Sequence, residues 1–134
     1  MSQERVEIAR EGIEAWNRHD FEMGIRHLAP DVEWLPASPA AVERSVYRGY
    51  DEVARGFNAI WETWDVFQFE EREIRDLGDS VLWLGTVHMR GGASQVELDQ
   101  EFANLLVFSG DKVVKVQGFL SWQEALDAVG PRPA

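Results

Sequence analysis

The chain has 134 residues, 45% of them hydrophobic, with 13 basic against 24 acidic side chains and no cysteine. A formal charge of −11 speaks against nucleic acid or an anionic membrane surface as partner, because both are held by clustered Lys and Arg. The missing cysteines exclude disulfides, thiolate-bound metals and thiol catalysis. The length suits a single domain over 1–134, with 131–134 expected as a disordered tail. The start lacks the basic and apolar regions of a signal peptide and no apolar run reaches membrane-spanning length, so a cytoplasmic location is the expectation.

In chain order, Val6, Ala9, Ile13 and Trp16 recur near helical spacing over residues 4–17, which predicts an amphipathic helix. Asp20 is a good N-cap for a short second helix carrying Phe21, Ile25 and Leu28. Pro30 is expected to stop that helix, and Asp31–Leu35 to form a short strand. Pro36 to Gly49 reads as a long loop of small residues, the kind that often serves as a lid. A third helix is expected from an Asp51 N-cap to about Trp64. The period then switches from 3.6 to 2, predicting strands at 66–74, 80–90, 96–108 and 112–120. Ser121-Trp122-Gln123-Glu124 is a capping box opening a last helical turn, which Gly130-Pro131 ends. Helices first and strands afterwards indicate an α+β fold, helices packed on one face of a curved, mostly antiparallel sheet.

Two features go beyond the fold. The strand at 80–90 is apolar at both parities, so both its faces are expected to be covered, one by helices, with a second subunit as one candidate for the other. Asn104 is an amide on an apolar hairpin face shared with Phe102, Leu106, Val114, Val116, Gly118 and Leu120. A buried amide without partners costs about 1–3 kcal/mol, so either the protein or a ligand must satisfy it.

The phrases Ala15-Trp16-Asn17-Arg18-His19-Asp20, Pro30-Asp31-Val32-Glu33-Trp34, Val46-Tyr47-Arg48-Gly49 and Gly110-Asp111-Lys112-Val113-Val114-Lys115-Val116 resemble the SnoaL-like branch of the nuclear-transport-factor-like superfamily, which includes ketosteroid isomerases. The resemblance implies a cone-shaped α+β barrel, an enclosed pocket and a homodimer formed through the outer sheet face. It leaves function open, since this fold hosts isomerases, cyclases, hydrolases and non-enzymes. The isomerases' general-base Asp aligns with Trp34, their Tyr with Trp16 and their protonated Asp with Asn104, so the base of that mechanism is missing. The cyclases' His after Gly-Thr is displaced here: Val87 intervenes between Gly85-Thr86 and His88. The superfamily's epoxide hydrolases use an Asp–Arg–Asp set that has no counterpart, because Asp99 and Glu101 have the wrong parity.

The candidate catalytic residues are therefore Asn104, as hydrogen-bond donor to an oxygen, and His88, as base; for His88 a solvent-facing strand position is the competing explanation. Trp16, Trp34, Phe57, Trp61 and Phe102 are the candidate pocket walls, with Val116, Gly118 and Leu120 on the amide's face; Trp16 is also a candidate indole donor. No His/Asp/Glu spacing suggests a metal, and no cofactor is expected. The expected function is binding of a small hydrophobic molecule, with or without cofactor-independent isomerase, cyclase or hydrolase chemistry. The alternative is a non-catalytic dimeric module in which Asn104 bonds internally.

Overall fold

The computed structural model describes residues 2–37, 46–91 and 96–130. The elements run α1 (Ser2–Asn17), α2 (Phe21–Ile25), β1 (Leu28–Leu35), β2 (Tyr47–Arg48), α3 (Gly49–Thr63), β3 (Val66–Asp76), β4 (Ser80–Gly91), β5 (Val96–Ser109), β6 (Lys112–Phe119) and α4 (Trp122–Val129). Most of the predicted loop (38–45), the turn at 92–95 and the tail 131–134 lie outside the described residues. Among the described residues no helix is long and apolar enough to cross a membrane.

The strands form one six-stranded sheet in the order β2-β1-β6-β5-β4-β3. All neighbours are antiparallel except β1 and β6. The sheet curves around the N-terminal helices without closing into a barrel. The predicted caps are in place: Asp20 accepts from the Met23 N–H at 3.1 Å and Ser121 from the Glu124 N–H at 3.2 Å. The C-terminus of α1 is tied to the edge strand by Asn17, whose amide donates to the Phe69 carbonyl (2.9 Å) and accepts from its N–H (2.8 Å).

Four expectations are corrected. Pro30 lies inside β1 rather than ending a helix; the β1–β6 register shifts between Leu28 and Glu33, an irregularity suited to a residue with no N–H to donate. Tyr47–Arg48 is a short strand paired with Glu33–Trp34, so α3 starts at Gly49 instead of after Asp51. A second register shift, between Val107 and Phe108 on β5, sets Val113 rather than Val114 opposite Phe108. Val113 is 1% exposed: the bulge hands the inward position from one valine to the next. Finally, the helices do not share one face. The outward side chains Leu82, Leu84 and Ala103 pack against Ala125, with Trp122, Leu126 and Val129 around them. Part of the cover that the double-sided strand β4 demanded is the chain's own α4.

Candidate functional site

Antiparallel pairing places Asn104 between Trp83 on β4 and Gly118 on β6, all facing the concave side. Facing them across the core, α1 presents Ala9, Gly12, Ile13 and Trp16, and α3 presents Val53, Phe57 and Ile60. Between these layers lies a cavity of about 100 Å³. Leu28, Val32, Trp34 and Pro36 from β1 and the residues after it, Gly24 from α2, Phe67 and Phe69 from β3, Phe102 and Leu106 from β5, and Val116 from β6 complete its wall. The wall is thus apolar except for one amide.

The oxygen of that amide, Oδ1, is buried and has no hydrogen-bond partner among the described residues. Of the two ways of satisfying Asn104, the internal one is not observed.

The aromatic wall is a continuous cluster. The Trp16 ring meets Phe57 at 4.9 Å, Phe67 at 5.5 Å and Phe69 at 5.7 Å between centroids, mostly edge to face, the arrangement the ring quadrupoles favour. The Trp16 indole N–H donates to the Phe67 carbonyl at 3.0 Å, which corrects its expected role: it is a wall, and its donor is already spent on holding α1 to β3.

Of the predicted wall residues, Trp16, Trp34, Phe57, Phe102 and Val116 line the cavity with Asn104; Trp61, Gly118 and Leu120 do not. Trp61 stands behind Trp16 and Phe57 (5.2 and 5.5 Å) and stacks on His19 at 4.5 Å. Gly118 is screened, since a Cβ there would come within 2.9 Å of the Ala37 nitrogen and 3.2 Å of the Phe102 ring. Leu120 packs against the main core cluster. Phe67 and Phe69 went unpredicted because their strand also carries charges at successive positions. Gly12 and Gly24 went unpredicted because a glycine has no side chain to signal a wall.

His88 is corrected more sharply. It pairs with Gln68 and Asp99 on the convex face, the opposite parity from Asn104. There its Nδ1 meets the Asp99 carboxylate at 2.6 Å and its Nε2 the Glu70 carboxylate at 2.8 Å. Hydrogen bonds to Asp99 first and Glu70 second hold the imidazolium above the ordinary histidine range. It links strands on the convex face and lies outside the cavity, so it cannot act as a base there. Asp31 is exposed, and Glu33 pairs with Arg48 at 2.9 Å, so neither enters the site. Among the described residues, none lining the cavity ionises, and no group of His, Cys, Asp and Glu could hold a metal.

The SnoaL-like domain family matches residues 9–116, and the chain belongs to that family. Solved structures agree on the fold. An NTF2-like protein of unknown function from Burkholderia pseudomallei superposes with a TM-score of 0.80 at 19% identity, over 96% of this chain and 98% of that one. An NTF2-like protein from Burkholderia thailandensis gives 0.76 at 25% identity, over 93% and 96%. A protein of ketosteroid isomerase-like fold from Catenulispora acidiphila, solved in complex with trimethylamine, gives 0.75 at 15% identity, over 90% of each chain. No curated protein matches the sequence.

Proposed function

We propose that this protein binds a compact, largely apolar small molecule in the concave cavity, and that Asn104 takes the ligand's one hydrogen-bond donor. The observation that carries this reading is the buried, unpartnered Oδ1 of Asn104 in a wall otherwise built of apolar side chains. A ligand bearing an N–H or O–H removes a penalty of about 1–3 kcal/mol that the empty site bears. Small-molecule sites are commonly of this kind, apolar with a few placed polar groups. The Catenulispora acidiphila protein is an instance of the same fold holding a small organic molecule.

The absence of an ionisable group from the described wall favours binding over general-base catalysis, since isomerase and cyclase chemistry needs a base within reach of the substrate. The test is native mass spectrometry of the protein after incubation in an extract of its source cells, beside a denatured sample. A bound small mass, lost on denaturation and absent from Asn104→Leu, is the expected result. Asn104→Leu should also melt at the same temperature or higher, because it removes an unsatisfied group. No bound mass, together with a loss of about 1–3 kcal/mol in Asn104→Leu, would assign the amide to an internal structural role and overturn the proposal.

A further inference from the structure

Along α1, Ala9, Gly12, Ile13 and Trp16 follow the i, i+3, i+4, i+7 spacing of one helix face, and all four line the cavity. Glycine is an odd choice there. It is among the weakest helix formers, and on a core-facing stripe it also forfeits the apolar area a side chain would bury.

Steric crowding explains other glycines of this protein. A Cβ at Gly56 would lie 2.5 Å from the Trp34 ring, and one at Gly85 would lie 2.2 Å from the Glu70 carbonyl oxygen. At Gly12 it would meet no atom within 4 Å. Nor does backbone conformation require glycine, since positive φ among the described glycines is confined to Gly49, Gly78, Gly110 and Gly130. Gly24 on α2 repeats the pattern: its Cβ would make ordinary contacts of 3.6 Å with Ala15 and 3.7 Å with Phe57, yet it too is a glycine lining the same cavity. Two helical glycines that neither sterics nor φ demands both face one empty space.

We infer that Gly12 is a specificity-determining residue of the binding site: its missing side chain reserves room for the apolar end of a monohydroxylated ligand whose polar end meets Asn104. Gly24 widens the same wall. The inference rests on the binding function proposed above and adds the ligand's orientation and chemical class, an alcohol or phenol with a short apolar body. A cavity of about 150 Å³ takes a benzene-sized guest, so about 100 Å³ places the ligand near that size. Such proteins trade stability for a site: filling the space should strengthen the fold and weaken binding.

The experiment is a titration of the whole protein with phenol, 4-methylphenol and 4-ethylphenol, followed by tryptophan fluorescence and melting temperature. The wild type is compared with Gly12→Ala and Gly12→Leu. Gly12→Ala should melt about 4 °C higher without ligand and bind phenol within roughly twofold of wild type. It should bind 4-ethylphenol at least roughly tenfold more weakly, the effect of one methyl-sized encroachment on an apolar pocket. Gly12→Leu should lose the longer phenols altogether. If the wild type binds the series and both variants bind it equally well, the assignment of Gly12 is wrong while the binding function stands. A lower melting temperature in Gly12→Ala overturns the premise that the space is free. If the wild type binds no phenol at millimolar concentration, the ligand class inferred here is wrong, and native mass spectrometry decides the binding function separately.

Discussion

His88 ties three strands together on the convex face, with Asp99 of β5 on one ring nitrogen and Glu70 of β3 on the other. Both hydrogen bonds favour the protonated ring, which raises its pKa above the ordinary value. Stability from this group is therefore fully present below the unfolded value of about 6.5 and is lost as pH rises through the higher folded value. The ring is 39% exposed, so solvent screening limits the effect to about 1 kcal/mol or less. Urea unfolding between pH 5.5 and 9 should show wild type exceeding His88→Gln most at the acidic end, with the gap closing towards the alkaline end. Parallel profiles would sink this account. Residues in this protein differ in how much their own identity reveals. Asn104 announces itself, because strand alternation puts an amide where every neighbour is apolar. Gly12 is silent until the space beside it is known, and His88 is ambiguous until its strand's facing is.

At the scale of elements, α4 closes the convex side of β4 and β5. Its Trp122 indole donates to the Gly85 carbonyl at 2.8 Å and lies under the Arg72 guanidinium at 4.7 Å. Trp122→Ala should destabilise by about 2 kcal/mol, below the full cost of a buried aromatic because the ring is only partly buried. It should also increase self-association by uncovering Leu82 and Leu84, which urea titration and sedimentation velocity would read together. Unchanged stability and a single unaltered species would show that α4 is dispensable as a cover. At the other end, Arg5 of α1 donates to the Gly78 and Gly110 carbonyls at 2.6 and 2.8 Å, pinning two hairpin turns to one helix. That link joins residues 73 and 105 positions apart, which no local pattern encodes.

The whole molecule carries a charge of −11, and its ion pairs, such as Arg10–Glu71 and Arg26–Glu11, are largely exposed. Exposed pairs contribute little, so self-repulsion outweighs them. Raising salt from about 10 to 150 mM shortens the screening length from about 30 to 8 Å and should stabilise the fold at pH 7 by roughly 1 kcal/mol, or about 3–4 °C. A melting temperature that falls with salt would mean that the surface pairs dominate after all.

The sequence by itself determined the α+β class, the order of elements apart from β2, the caps at Asp20 and Ser121, and the amide on the concave face. Each of these rests on contacts between near neighbours or on a side-chain period that repeats along the chain. Tertiary structure decided the rest. A bulge chose Val113 over Val114, α4 covered part of the outer face of β4, and the sheet's parity sent His88 outward. It also decided that Trp16 spends its N–H on Phe67 and that Gly12 borders free space. In every one of these cases the deciding partner lies on a different element, and its distance is set by how the sheet curves and the helices seat on it, which no single stretch of sequence contains.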